Sequence, residues 1–279
     1  MIIGMLVCVS IIAFMKNNTM ESYNTYDYEI KEVSLKNGKN KIFGVLYKPK
    51  TLKKVPIIIY SHGLGGNHDY GNAYAREFVE KGYAFYAFDF CGGSFDSKSD
   101  GLTTEMSVVT EMSDLEAVLK SIKKWDFIDQ NNITLFGTSQ GGLVSSQVAI
   151  KYEKEIKNLI LFYPAFVIED DIHTKYPTKE DIPKRTNYMG WIDVSDKYML
   201  DIYDLDFYDC IKDYQKDVLI VHGNQDSIVP LEYSKKLNQV YANSNLKIIK
   251  GAGHGFYGKS FVEAIGFMDD YLNRNEESR

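Results

Sequence analysis

A serine flanked by glycines is the feature of this chain that most clearly suits covalent chemistry. Residues 137–142 read Gly-Thr-Ser-Gln-Gly-Gly, between a strand-like apolar run at 133–136 and a helix-like run at 143–149. A sharp turn from strand into helix holds such a serine at strained dihedral angles with its Oγ exposed, and only glycine avoids a clash two residues before and after it. The pattern predicts that Ser139 is a nucleophile, and the alternative is a glycine-rich turn that merely ends a strand.

A nucleophilic serine of this kind needs an acid and then a histidine later in the chain, each on a loop that follows a strand. Asp226 follows the apolar run at 218–221, and His254 follows the run at 246–250. In these roles His254 takes the proton of the attacking serine, and Asp226 fixes the imidazole tautomer and stabilises the imidazolium. We therefore predict a catalytic triad of Ser139, Asp226 and His254.

Two backbone N–H groups are expected to stabilise the oxyanion that forms when a serine attacks a carbonyl. One belongs to Gln140, at the amino end of a predicted helix whose dipole also favours an anion. The other is assigned to Leu64, in the loop Ser-His-Gly-Leu-Gly-Gly at 61–66. A phosphate-binding loop is the alternative for 61–66, but the segment lacks the Lys-Ser/Thr ending of a P-loop.

The composition argues against several other kinds of site. A formal net charge of −6 and a pI near 5.5 do not suit a nucleic-acid surface. The three cysteines lack CxxC spacing, which predicts free thiols rather than a disulfide framework, and five histidines without a His-x-x-x-His pair predict no bound metal. His222 is interpreted as a structural ring beside the acid loop.

The amino terminus forms a separate segment, taken here as residues 1–20. Residues 2–15 are almost continuously apolar, but this stretch is shorter than the ~20 residues that a membrane helix needs. An uncleaved or degraded export signal, a weak membrane anchor and a start codon placed too far upstream all fit it. We expect membrane association only through residues 2–15, and a cytoplasmic folded domain unless that segment exports or anchors it.

Beyond residue 28, strand-like and helix-like segments alternate, which predicts an α/β fold with a mainly parallel central sheet flanked by helices. Residues 28–35 and 41–47 are predicted to form a β-hairpin around the Asn-Gly of a turn at 36–40. A helix predicted at 111–125 places Asp114 and Glu116 toward water.

A segment at about 165–216 breaks the alternation and is predicted to be a small cap inserted over the sheet. A β-hairpin is expected at 185–200, turning near 194–196, and a short helix at 201–214. Loops of this length inside a compact domain are usually functional. Its aromatic residues are expected to form the cap's own core or, for a subset, to bind substrate. The proposed substrate-binding subset is Tyr188, Trp191 and Tyr198.

These motifs together resemble the α/β-hydrolase superfamily and, within it, the bacterial cinnamoyl/feruloyl-esterase-like serine hydrolases. The segments that carry the resemblance are 62–66, 88–94, 137–142, 222–230 and 253–254. It covers most of the chain from about residue 28, and implies an α/β-hydrolase domain at 21–279 with the cap as an insertion. It also implies cofactor-free hydrolysis of carboxylic esters and a cap that holds an aromatic acyl group.

The leading hypothesis is a serine esterase that acts on a small or medium acyl ester, including aromatic ones, through an acyl-enzyme. An amidase or aminopeptidase is the first alternative, because the acidic run Glu169-Asp170-Asp171 could receive a substrate ammonium. A lipase-like role at a membrane would require residues 2–15 to be an anchor. A non-catalytic binding protein is least favoured, because all three triad residues are present.

Overall fold

The computed structural model describes residues 25–277. The predictions for residues 2–15 therefore lie outside the described residues. Between residues 25 and 277, no helix combines the length and the apolar character needed to cross a membrane.

The described residues form twelve strands, numbered here along the chain. They are β1 (Tyr28–Glu32), β2 (Leu35–Asn37), β3 (Asn40–Ile42), β4 (Gly44–Pro49), β5 (Val55–Ser61), β6 (Ala84–Phe88), β7 (Ile128–Thr138), β8 (Asn158–Phe162), β9 (Arg185–Tyr188), β10 (Ile192–Ser195), β11 (Val218–Gly223) and β12 (Ser244–Ile249).

Eight of these strands form the central sheet, in the order β1-β4-β6-β5-β7-β8-β11-β12. The six from β6 to β12 in this order are parallel, whereas β4 pairs antiparallel with both β1 and β6. Strands β6, β8 and β11 are buried along their whole length, as expected of a sheet covered on both faces. The predicted mainly parallel sheet is confirmed.

Helices cover both faces of the sheet. Ile57 of β5 packs in a core that includes side chains of α2 and α3, and its neighbour Ile58 packs in a second core that includes side chains of α1 and α8. This alternation is the period of two that a strand imposes. The α-helices are α1 (Asn72–Val79), α2 (Val108–Ile122), α3 (Gln140–Lys151), α4 (Ile168–Lys175), α5 (Lys197–Leu200), α6 (Phe207–Ile211), α7 (Leu231–Val240) and α8 (Lys259–Glu277).

The amino-terminal hairpin is tighter than predicted. Asn37 pairs with Asn40, so the turn contains two residues rather than the five at 36–40. Gly38 adopts a φ of 57°, which suits a two-residue turn of this kind. The outer parts of the predicted hairpin, β1 and β4, pair with each other in the central sheet.

The prediction that Asp114 faces water is wrong. Its side chain is buried, and its carboxylate accepts hydrogen bonds from the Cys91 backbone N–H at 2.8 Å and from the Asn37 side-chain amide at 2.9 Å. Helix α2 packs against β2 as well as α3, which covers the side that helical periodicity assigns to solvent. Glu116 is partly exposed and pairs with Lys151 at 2.6 Å.

The cap between β8 and β11 contains α4, the β9–β10 hairpin, α5 and α6. The predicted turn at 194–196 is wrong, because the hairpin turns at 189–191, where Met189 and Gly190 both have positive φ angles of 56° and 76°. The helix predicted at 201–214 is restricted to Phe207–Ile211. Asp206 is the N-cap of this helix, and its side chain accepts hydrogen bonds from two backbone N–H groups of the first helical turn.

Candidate active site

Ser139 lies in a sharp turn between β7 and α3. Its φ of 53° and ψ of −124° form a backbone conformation that residues other than glycine rarely adopt. A Cβ on Gly137 would lie 2.1 Å from the Gly141 carbonyl oxygen, and a Cβ on Gly141 would lie 2.2 Å from the Ser61 carbonyl oxygen. Both positions require glycine because backbone approaches them too closely for a side chain.

The structure brings Ser139, His254 and Asp226 into one hydrogen-bonded chain. His254 Nε2 lies 3.0 Å from Ser139 Oγ, and His254 Nδ1 lies 2.8 Å from Asp226 Oδ2. The three residues follow β7, β12 and β11, so the carboxyl edge of the parallel sheet positions all of them. This geometry allows His254 to take a proton from Ser139 while a carboxylate accepts the hydrogen bond from its other nitrogen.

The Asp226 side chain is buried, and its surroundings favour the ionised carboxylate. Its Oδ1 accepts hydrogen bonds from the backbone N–H groups of Ile228 and Val229, both at 2.9 Å, and its Oδ2 lies 3.2 Å from His222 Nε2. Burial alone would raise the pKa of Asp226, but hydrogen bonds from His222, His254 and the Val229 backbone hold that pKa well below its usual range. His222, interpreted above as a structural ring, thus contacts the acid directly.

His62 organises the loop after β5, a role that the sequence analysis did not assign. Its Nε2 accepts a hydrogen bond from the Phe90 backbone N–H at 3.2 Å, so its Nδ1 carries the proton and donates to the Gly63 carbonyl at 2.8 Å. Burial lowers the pKa of His62, which favours this neutral ring. The ring therefore fixes the Gly63 carbonyl at the start of the loop.

The Leu64 and Gln140 backbone N–H groups are available to an incoming oxygen. The N–H groups of Gly65 and Gly66 donate to loop carbonyls, whereas the N–H of Leu64 has no acceptor within residues 25–277. Gln140 is the first residue of α3, and N–H groups in the first turn of a helix have no partner within that helix. These two groups are suited to stabilise an oxyanion formed at Ser139.

The Gln140 side chain connects the turn at Ser139 to the cap. Its Oε1 accepts a hydrogen bond from the Tyr198 hydroxyl at 2.6 Å, and its Nε2 donates to Glu111 Oε2 at 2.8 Å. Glu111 is buried, and its Oε1 has no hydrogen-bond partner among the described atoms. Glu111 lies one helical turn before Leu115 on the same apolar face of α2, a sequence signal that could have predicted its burial.

We predict that Glu111 makes stability depend on pH. Burial raises the pKa of Glu111 from 4.5 to about 8, opposed by the Gln140 hydrogen bond and increased by Asp114. Between these values the folded state keeps a proton that the unfolded chain has lost. The Glu111 contribution to the free energy of unfolding therefore falls as pH rises, by up to about 1.4 kcal/mol per pH unit.

The Glu111→Gln variant tests this prediction because it keeps the shape of the side chain but cannot ionise. Its melting temperature should fall less than that of the wild type between pH 5 and pH 8, as measured by differential scanning fluorimetry. The exposed Glu180→Gln variant is the matched control and should follow the wild type. Parallel wild-type and Glu111→Gln curves would contradict the prediction.

Two cavities meet at Ser139. The larger, about 380 Å³, is also lined by Leu64, Trp191 and His254. The smaller, about 20 Å³, lies beneath the cap and is lined by Leu64, Gln140, Tyr188 and Trp191 among others. Trp191 lines both cavities and is 48% exposed, whereas Tyr188 is buried.

Tyr198, expected from the sequence to bind substrate, lines neither of the two cavities at Ser139. It is fully buried, and its hydrogen bond to the Gln140 side chain supports the turn at Ser139 without contact with either cavity.

Two known proteins are similar to this chain over most of its length. The structure of Est1E from Butyrivibrio proteoclasticus with ferulic acid bound is similar to this chain with a TM-score of 0.79 and 27% sequence identity, covering 86% of this chain and 98% of Est1E. The "Putative esterase/lipase 2" of Mycoplasma pneumoniae is 24% identical over 277 residues, which cover 86% of this chain and 99% of that protein.

A proline iminopeptidase of Chitinophaga pinensis shares a shorter region. It is 32% identical over 108 residues, which cover 39% of this chain and 34% of the iminopeptidase. The matched region thus spans about a third of that relative.

The parallel sheet, the strained serine turn and the order Ser139, Asp226, His254 are those of an α/β hydrolase. The predicted superfamily and the resemblance to feruloyl-esterase-like proteins are confirmed by the likeness to Est1E. Residues 67–277 match the model of the prolyl oligopeptidase family, and the chain belongs to that family. It is therefore a hydrolase of the α/β-hydrolase superfamily.

Proposed function

We propose that this protein is a serine carboxylesterase in which Ser139 is the nucleophile, His254 is the general base and acid, and Asp226 orients His254. The observation that carries the proposal is the hydrogen-bonded chain from Ser139 Oγ through His254 to Asp226, built on a strained turn. A serine positioned in this way beside an oriented histidine is an activated nucleophile.

The reaction proceeds through an acyl-enzyme. Ser139 Oγ attacks the ester carbonyl carbon while His254 Nε2 takes the hydroxyl proton, and the resulting oxyanion accepts hydrogen bonds from the Leu64 and Gln140 N–H groups. The carbon–oxygen bond to the alcohol then breaks, and His254 returns its proton to the leaving oxygen. Water attacks the acyl-enzyme with His254 again as base, which releases the acid and restores Ser139.

The acyl part of the substrate is proposed to lie beneath the cap. The space there, about 20 Å³, holds roughly one water molecule, so a small acyl group enters with little rearrangement. An aromatic, cinnamoyl-type acyl group is supported by the ferulic acid bound to Est1E. It would require the space to enlarge by movement of side chains that line it, such as the half-exposed Trp191.

An aminopeptidase-type hydrolase is the second candidate, supported by two observations. The iminopeptidase of C. pinensis is a relative of this chain, and Asp171 of α4 lines the space beneath the cap. Burial, together with the neighbouring Asp170, raises the pKa of Asp171. A substrate ammonium would stabilise its ionised form.

A substrate panel separates the two candidates. We expect turnover of p-nitrophenyl acetate, p-nitrophenyl butyrate and methyl ferulate, and labelling by a fluorophosphonate probe, with weaker turnover of alanine and proline p-nitroanilides. Preferred turnover of the anilides, lost at least tenfold in Asp171→Asn but not in the control Asp170→Asn, would favour the aminopeptidase. Absence of ester and anilide turnover together with absence of labelling would reject both.

A further inference from the structure

A cavity lined by aromatic side chains adjoins the larger cavity at Ser139. The cavity of about 380 Å³ at Ser139 shares Tyr70, Tyr163 and Tyr257 with a neighbouring cavity of about 460 Å³. Ring side chains dominate the lining of this neighbouring cavity, which we call the aromatic groove. Its ring-bearing members are Tyr60, Tyr70, Tyr74, Tyr163, Phe256, Tyr257 and Phe261.

The position of His254 indicates which half of an ester lies in the aromatic groove. If Ser139 and His254 act as proposed above, on which this inference rests, the leaving alcohol oxygen takes its proton from His254 Nε2 and must lie beside it. His254 lines the larger cavity at Ser139, which shares three tyrosines with the aromatic groove, but it does not line the space beneath the cap. The aromatic groove therefore faces the alcohol part of the ester.

The inner walls of the aromatic groove are mostly apolar. The Tyr60 hydroxyl is hydrogen-bonded to the Thr138 hydroxyl at 3.0 Å. Tyr163 packs edge-on against His254, with ring centroids 4.7 Å apart. Because the Tyr60 hydroxyl is used within the protein and the remaining lining is mostly apolar, the inner groove is suited to an apolar ring.

Two exposed tyrosines form the outer part of the groove. Tyr70 is 62% exposed and Tyr257 is 77% exposed, so both retain ring surface that a ligand can cover. Asp69 also lines the groove, and its carboxylate disfavours a ring that carries a negative charge. We propose that the aromatic groove binds an uncharged aromatic ring in the alcohol part of the ester substrate, with Tyr70 and Tyr257 as its ring partners.

Two acetate esters test this proposal because their alcohols differ only in the ring. Phenylpropyl acetate and cyclohexylpropyl acetate carry the same acyl group and leaving alcohols of similar acidity. We expect the wild type to favour the phenyl ester in kcat/KM by about two- to tenfold, the range that ring–ring pairs produce. In Tyr70→Ala/Tyr257→Ala this ratio should approach one.

The control variant is Phe95→Ala, which removes a side chain that is 67% exposed but does not line the groove. It should keep the wild-type ratio. Equal kcat/KM for the two esters in the wild type, or an unchanged ratio in the double variant, would overturn the inference while acetate turnover still supports the esterase. If neither ester is hydrolysed and fluorophosphonate does not label the protein, the proposed function fails and the inference fails with it.

Discussion

Replacing Ser139 by alanine is expected to lower kcat for ester hydrolysis by about 10⁶, because triad residues act as a unit and no other group supplies the attacking oxygen. The hydrogen bond of 3.0 Å to His254 Nε2 is made by the Ser139 hydroxyl. The variant should bind substrate but form no acyl-enzyme. Steady-state kinetics and the loss of fluorophosphonate labelling measure the effect.

Ser145→Ala is the matched control for this prediction. Ser145 is buried close to Gly137, and its hydroxyl has no hydrogen-bond partner among the described residues. Its removal should leave kcat and labelling unchanged. A loss of less than about tenfold in Ser139→Ala would show that another residue is the nucleophile.

Replacing Asp226 by asparagine is expected to lower kcat by about 10⁴ through the wrong histidine tautomer. The Ile228 and Val229 N–H groups both donate to Asp226 Oδ1, so an asparagine oxygen is held there and its NH₂ group faces His254. His254 Nδ1 must then accept a hydrogen bond, which places the proton on Nε2 and prevents that nitrogen from accepting the Ser139 proton.

The kinetic signature of this change is a fall in kcat, and the melting temperature at neutral pH should fall as well, because the depressed pKa of Asp226 means that its ionised carboxylate stabilises the folded state. Asp213→Asn, an exposed carboxylate away from both cavities, is the control and should retain full activity. If Asp226→Asn retains more than about a tenth of the activity, Asp226 does not orient the catalytic histidine.

The central sheet and the candidate triad could be predicted from the sequence because their signals are local. Each triad residue follows an apolar run long enough for a buried strand, and the glycines at 137 and 141 mark a turn that excludes side chains. The chain order of Ser139, Asp226 and His254 is itself a property of the sequence. Local patterns of this kind need no knowledge of what packs against them.

The tertiary structure decided the features that depend on distant contacts. Periodicity identifies one apolar face of α2, but the packing of β2 against another side buries Asp114. The sequence predicts the cap turn at 194–196 rather than at 189–191, because a positive φ at Met189 is uncommon for a residue other than glycine. The sequence identifies Tyr198 as an aromatic cap residue, but only the tertiary structure shows that it contacts Gln140 and lines neither cavity at Ser139.

By itself, the sequence determined the fold class and the choice of the three candidate triad residues, because strand periodicity and glycine turns act over a few neighbouring residues. Only the tertiary structure assembled the aromatic groove, whose Tyr70, Tyr163 and Tyr257 come from separate parts of the chain. A cavity is formed by side chains from several elements and has no period in the sequence. Substrate preference therefore depends on packing that no local pattern specifies.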